Sequence, residues 1–347
     1  MLSVLDQVPV FRGDDPAEAV REAVGLARAA ESLGYHRFWI AEHHGSAANA
    51  CAAPEIVAAA VAGATERIRV GTGGVLLPYY SPLKVAEAFR VLAALYPGRI
   101  DLGFGRGRGG PAVMAELLNP YAIATEEAYA EQVGRLLAFL GDARTVSRVS
   151  VTPAVQDPPL PWLLGSGVGS ARLAGMLGVP FCFAQFIATE ECPEAIAAYQ
   201  ESFRSSPWLD EPQAMLALRV LAAGTAEDAE ELATGFWMSC TTGWRAQVRP
   251  DDDYRGGVPN LADAQRYTLT EEDLAMRASR PYLQISGTAE TVGEEIRRLR
   301  KVYDVAEVML TTNCPGAAAP APVLRAAGRR ARADRAGVTR VRPARRW

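Results

Sequence analysis

Short runs of aliphatic and β-branched residues alternate with longer stretches in which apolar positions return every three or four residues, and the alternation persists over most of the chain. Compact apolar runs bounded by turn-forming residues read as buried strands, and the 3.6-residue period reads as helices with one apolar face. Strands are predicted at 2–6, 37–41, 68–77, 100–105, 162–164, 179–186, 215–222 and 306–311, and helices at 16–33, 54–65, 82–95, 126–140, 170–177, 193–203 and 227–240. The punctuation agrees with the periodicity. Asp14 and Asp15 stand where the first helix needs a cap, Gly34 where it should end, and Pro82 at the first turn of the third. Strands and helices in strict alternation imply an α/β protein with a parallel sheet, and a count of eight strands favours a closed (β/α)8 TIM barrel over an open sheet. Residues 243–281, rich in Asp, Gly, Pro and Arg, break the pattern and read as a lid-like insertion after the seventh unit. The expected organisation is one barrel over 1–324 carrying that insertion, followed by an Arg-rich C-terminal helix or tail at 325–347.

Composition narrows the picture. A 347-residue chain that is 49% hydrophobic and 22% charged has enough apolar mass for one large core, which excludes a disordered chain. Five scattered cysteines with no C-x-x-C pair read as reduced thiols, so the expectation is a cytoplasmic protein without structural zinc or any other metal. No run approaches the ~20 apolar residues of a membrane-spanning helix, and none resembles an export leader. The net charge of −4 conceals nine arginines between positions 325 and 346, so the body of the chain is acidic. That tail reads as a solvated end. A nucleic-acid partner is not expected, and affinity falling steeply with salt would be the mark of one.

In a (β/α)8 barrel the reactive groups come from the C-terminal ends of the strands. His43 and His44 follow the second strand directly, beside Glu42. An imidazole with an ordinary pKa of about 6.5 can exchange protons near neutrality, so the pair is an acid/base candidate, with a polar loop cap as the competing reading. Gly73 and Gly74 sit together at the end of the third strand, where glycines mark a bulge or a close approach of a planar ligand. Two further loops look built for phosphate. Gly103-Phe104-Gly105-Arg106-Gly107 offers free backbone N–H groups and a guanidinium, while Gly165-Ser166-Gly167-Val168-Gly169-Ser170 runs straight into a helix N-terminus. Gln7, Tyr79 and Tyr80, at the ends of the first and third strands, would line the substrate side, or serve as ordinary packing residues.

These segments together resemble the bacterial-luciferase-like flavin-dependent monooxygenases. The resemblance rests on Ala30-Glu31-Ser32-Leu33-Gly34-Tyr35, Phe38-Trp39-Ile40-Ala41-Glu42-His43-His44, Val70-Gly71-Thr72-Gly73-Gly74-Val75-Leu76-Leu77-Pro78, Gly98-Arg99-Ile100-Asp101-Leu102-Gly103-Phe104-Gly105-Arg106-Gly107 and Gly287-Thr288-Ala289-Glu290-Thr291-Val292. It implies a (β/α)8 barrel that binds reduced FMN, or alternatively F420. By the resemblance His43 acts near the flavin C4a atom, Gly73 and Gly74 form a non-proline cis peptide beneath the ring, and Arg106 holds the phosphate with Ser166, Gly167 and Ser170. The implied activity is that of a two-component enzyme: a separate flavin reductase supplies FMNH2, O2 adds to give a C4a-(hydro)peroxide, and an organic substrate is oxygenated. The opening Leu2-Ser3-Val4-Leu5-Asp6-Gln7 resembles a subgroup of aromatic-polyketide tailoring enzymes of the mensacarcin type, acting in antibiotic biosynthesis. An F420-dependent oxidoreductase and a non-catalytic flavin-binding partner subunit are the alternatives. A homodimer packed through the second and third helices is also implied. One departure stands out. Thr125-Glu126-Glu127 occupies the place of a second phosphate arginine, which predicts modest flavin affinity.

Overall fold

Strands that are covered on both faces can be apolar at successive positions, and most positions of the sheet here are, apart from a few buried polar and charged residues. In the computed structural model, which describes residues 1–121, 125–141, 150–188, 190–248 and 257–313, nine strands form one parallel sheet. They are β1 (Leu2–Asp6), β2 (Arg37–Ile40), β3 (Arg69–Leu76), β4 (Ile100–Gly105), β5 (Leu160–Gly165), β6 (Phe181–Ala184), β7 (Ala214–Ala223), β8 (Ile285–Thr288) and β9 (Glu307–Thr311). The ring closes where β7 pairs with β9 (Leu216↔Val308) and β9 with β1 (Leu2↔Val308). The closed barrel is therefore β1-β2-β3-β4-β5-β6-β7-β9, eight parallel strands as expected. β8 is an extra strand that pairs only with the second half of β7 (Val220↔Ile285).

The surrounding helices are α1 (Pro16–Leu33), α2 (Pro54–Ala64), α3 (Pro82–Leu95), α4 (Ala112–Leu118), α5 (Glu126–Leu140), α6 (Val168–Leu177), α7 (Pro193–Ser202), α8 (Ala226–Val248), α9 (Leu261–Arg266), α10 (Glu271–Ser279) and α11 (Ala289–Val302). α1 shows why they form. Asp15 accepts a hydrogen bond from the Ala17 N–H, Pro16 supplies the first turn, and Gly34 closes the helix at φ 81°. Its buried positions, Ala23, Ala27 and Ala30, follow the helical period.

Four features depart from the expected layout, the first being α11 between the insertion and β9, a full-length helix with no counterpart among the predicted ones. The short exposed helix α4 and strand β8 carry too few residues for a period to show. β6 ends at Ala184 in a 3-10 turn (Gln185–Ile187), so the apolar run 179–186 is only half strand. α8 continues to Val248, so the segment 243–281 begins inside a helix, because one glycine at 243 costs a helix only about 1 kcal/mol. Of that segment the described residues form α9 and α10, both opened by capping boxes at Asn260 and Thr270. The C-terminal tail at 325–347 lies outside the described residues.

Alternation along the strands sorts the core into an outer shell and a barrel interior. Inside, Leu5, Trp39, Trp162, Cys182, Met215 and Met309 pack together, with Trp39 and Trp162 edge to face at 5.4 Å. Below them, toward the strand N-termini, the floor is charged. Arg37 donates to Asp101 (2.8 Å) and to Glu307 (2.9 Å), Arg69 donates to Asp101 (2.6 Å), and Trp39 Nε1 donates to the same carboxylate at 3.0 Å. Ser3 Oγ adds a bond to Glu307. Burial alone would raise the Asp101 pKa, but Arg37 and Arg69 hold it below the ordinary carboxylate value.

Removing one member of a buried ion network leaves its partners charged and unpaired, which typically costs about 3–5 kcal/mol. Asp101→Ala should therefore lower unfolding free energy by roughly that amount in urea titration; a loss below about 1 kcal/mol would show that the floor does not hold the barrel together.

Candidate active site

The inward-facing ladder Arg37, Trp39, Ala41 continues past the end of β2, so its next member, His43, stands at the barrel mouth. The loop that carries it is tied to its neighbours. The His43 N–H donates to Cys51 O at 2.9 Å, and the His44 N–H to Gly109 O at 2.7 Å. Gly110 has to be glycine here, since a Cβ would lie 2.1 Å from the His44 carbonyl oxygen.

Glu42 is the fastening of this loop. One carboxylate oxygen accepts from Tyr80 Oη (2.6 Å) and meets His44 Nε2 at 2.6 Å, and the other accepts from the Leu76 N–H at 2.9 Å. It is almost fully buried, so its hydrogen-bonding capacity goes into holding β2, β3 and the Tyr80 loop together. His43 is the opposite case. Its Nδ1 is buried with no hydrogen-bond partner among the described residues. Burial first, then the neighbouring His44 and then Arg219 push its pKa down to about 4. At neutral pH it is an uncharged imidazole, and its Nδ1 keeps an unused hydrogen-bonding position among the described residues.

The Gly73–Gly74 peptide bond is cis, and the β3–β4 register shifts between Thr72 and Val75, a bulge at the position the glycine pair marks. A Cβ on Gly73 would approach Leu5 Cδ1 to 2.6 Å, and one on Gly74 would approach Gly103 O to 2.8 Å. The wall beside His43 is thus bare backbone.

Around the rim, Arg106 follows β4 directly. Its guanidinium is 3.1 Å from Glu126 in the first turn of α5, with Cζ 5.8 Å from the Tyr129 ring. Gly167 precedes α6 in extended conformation without a side-chain cap, and a Cβ at Gly167 or Gly169 would meet nothing within 4 Å. The α6 N-terminus is therefore open. Ser166 is exposed there, and Ser170 Oγ donates to Gly167 O at 2.8 Å. The three tentative substrate residues are spread out. Gln7 is half-buried at the end of β1, its carbonyl held by Asn49 Nδ2 at 3.1 Å; Tyr79 donates to Arg108 O at 3.0 Å and stands edge-on to the His44 ring; Tyr80 is committed to Glu42.

One residue escaped the sequence reading. Arg219 follows Met215 and Ala217 on the inward face of β7, and its 9% exposure makes it a buried cation. The signal was a single charge within the apolar strand Ala214–Ala223.

A closed barrel thus gathers a neutral histidine, a glycine wall and two glycine-rich loops at its C-terminal mouth. The chain belongs to the luciferase-like monooxygenase family, whose profile matches residues 2–305. It is 38% identical to the Bacillus subtilis protein YwcH over 315 residues (90% of this chain, 93% of that one). It is 34% identical to the N-acetyl-S-alkylcysteine monooxygenase of the same species over 317 residues, covering 90% of this chain and 92% of that enzyme. Among solved structures, apo-MsnO8 superposes with TM-score 0.86 at 32% identity, covering 94% of this chain and 97% of its own. The fold alone is shared, at 19% and 16% identity and TM-score 0.66 in both cases, with the Pseudomonas putida 3,6-diketocamphane monooxygenase oxygenating constituent in complex with FMN and with an F420-dependent secondary alcohol dehydrogenase.

The depressed His43 pKa has a definite sign. Between about 4 and the ordinary 6.5 the unfolded chain binds a proton at this position that the folded chain does not, so His43 removes stability as pH falls through that window. In a histidine NMR titration of the protein the His43 ring should titrate near pH 4, assigned by its loss in His43→Gln; a midpoint at or above 6.5 contradicts the buried neutral imidazole.

Proposed function

We propose that the protein is the oxygenating component of a two-component flavin-dependent monooxygenase, receiving FMN already reduced by a separate flavin reductase. The observation that carries this reading is the unpartnered His43 Nδ1 beside the side-chain-free Gly73–Gly74 wall. A planar ring against that wall would give the nitrogen its missing partner. The open α6 N-terminus, Ser166, Gly167, Ser170 and Arg106 would receive the phosphate. Reduced FMN supplies two electrons to O2, so that one oxygen atom enters the organic substrate and the other leaves as water.

The remaining work belongs to the chain. His43, neutral at working pH, accepts or returns a proton at Nδ1 without adding a charge to a dry site. Glu42 positions the histidine loop. α9 and α10, the described helices of the insertion, serve as a cover that excludes water, which the chemistry needs because a wet site wastes the reduced flavin as H2O2. The Arg106–Glu126 ion pair must open for a phosphate to take the guanidinium, which together with the missing second arginine gives modest affinity. Such affinity suits a flavin that arrives reduced and departs oxidised. The substrate is an organic molecule of the aromatic-polyketide class, following the resemblance of the opening strand. F420 in place of FMN is the second reading of the cofactor. No described helix is long and apolar enough to cross a membrane, and a cytoplasmic location beside the reductase fits the reaction.

Stopped-flow mixing of the protein and reduced FMN with oxygenated buffer tests the proposal. Wild type should reoxidise FMN at least tenfold more slowly than free flavin, a delay worth about 1.4 kcal/mol of added barrier, and His43→Ala should lose most of it. Reoxidation at the free-solution rate in wild type, with tight F420 binding, would move the assignment to an F420-dependent oxidoreductase. Slow reoxidation unaffected by His43→Ala would remove His43 from the chemistry.

The assembly proposed is a homodimer through α2 and α3, supported by exposed Ile56, Val91 and Leu95 on those helices. Large exposed apolar side chains grouped on neighbouring elements are where a second copy gains burial. Light scattering at micromolar concentration should read a dimer in wild type and a monomer in Ile56→Glu/Leu95→Glu; a wild-type monomer overturns it.

A further inference from the structure

Arg219 has an environment that no charged residue keeps without a reason. Its guanidinium carbon lies over two aromatic rings, 5.1 Å from the Phe186 centroid and 4.7 Å from that of Phe236. Nη1 donates to the carbonyls of Phe186 (3.4 Å) and Leu283 (3.1 Å), and Nε is buried with no acceptor among the described residues. No carboxylate among the described residues pairs with it. Burial pulls its pKa down to about 10, which still leaves it protonated at neutral pH. A guanidinium has five N–H donors arranged to grip an anion, and a buried cation without a counter-ion is expensive unless one is supplied.

The fold says where that anion would lie. In the ring β1-β2-β3-β4-β5-β6-β7-β9, β7 is four strands from β3 in either direction, so Arg219 stands opposite the Gly73–Gly74 wall. It projects inward at the mouth level, and its charge is felt at His43. Thr311, its register partner on β9, is also inward by alternation from Glu307 and Met309, and its buried Oγ1 has no partner among the described residues. Two polar groups without partners among the described residues therefore face the barrel interior, across it from the glycine wall. A flavin ring on that wall would leave the space between ring and guanidinium for the organic substrate.

We propose that Arg219, assisted by Thr311, anchors a carboxylate of the organic substrate, so that the enzyme selects anionic molecules with an apolar or aromatic body. The Phe186 and Phe236 rings pack against the guanidinium, and the carboxylate takes the Nε edge, which has no partner among the described residues, while Thr311 Oγ1 donates to it. The placement of the substrate relative to the ring rests on the monooxygenase reading. The anion site itself does not.

The test is equilibrium binding by calorimetry, in the absence of flavin, of acetate, hexanoate, phenylacetate and 1-naphthylacetate, each against its primary amide. Wild type should bind at least one of the bulkier carboxylates tenfold or more tightly than its amide, and Arg219→Met, close in volume, should reduce that preference below twofold. Arg219→Lys keeps the charge but loses the fork, and should retain a preference reduced at least threefold; it decides the matter if Arg219→Met does not fold. A wild-type preference below twofold across the panel overturns the proposal, as does a preference that survives in both variants. A tenfold loss of FMN affinity in Arg219→Met with the carboxylate preference intact would assign the guanidinium to the flavin and overturn it too. Because no flavin is present in the main arm, a stopped-flow failure of the oxygenase reading leaves this result independent.

Discussion

The barrel hangs on Asp101. One fully buried carboxylate receives Arg37, Arg69 and Trp39, and Arg37 passes the connection on to Glu307. Strands β2, β3, β4 and β9 are thereby joined through their side chains at the narrow end, where backbone pairing alone would leave the interior to be filled. Above this floor the two tryptophans and Met309 pack together and fill the barrel interior, leaving the strand C-termini as the end where its polar groups gather. Polar groups placed above this packing sit against an apolar interior, and their electrostatics are correspondingly strong.

That constraint explains the division of labour at the mouth. Glu42 and His43 are adjacent in sequence, yet alternation sends the acid into the loop packing and the histidine into the cavity. The acid is saturated by Tyr80, His44 and the Leu76 N–H. The histidine is left with an unanswered nitrogen and a depressed pKa. A charged imidazole would be costly there, and a neutral one can move a proton without that cost. Arg219 is the charge that this end of the barrel interior keeps, and the two nearby aromatic rings compensate only in part for its burial.

Much of this was legible in the sequence because it depends on local periodicity. Strand and helix alternation, the caps of α1, the paired glycines of β3 and the histidines after β2 are all short-range signals, and the family resemblance is densest across the same stretch. What could not be read depends on which distant residues meet. Neither the Asp101 network, built from residues up to 270 positions apart, nor the fastening of Glu42 by Tyr80 is written in any single segment. Arg219 was visible only as a charge in an apolar strand, and the ring closure that sets it opposite Gly73 and Gly74 gives it meaning. β8 escaped because four residues are too few to show a strand's alternation, and α8 ran past Gly243 because one glycine does not end a helix with tertiary support.

The glycine wall, His43 and the Arg106 rim are proposed to form one flavin site. A crystal structure of the protein soaked with FMN tests it most directly. The ring should lie against Gly73–Gly74 with His43 Nδ1 facing it, the phosphate at the α6 N-terminus, and Arg106 released from Glu126 to meet it. A ring bound elsewhere, or a phosphate that leaves the Arg106–Glu126 pair closed and the α6 N-terminus empty, would contradict it.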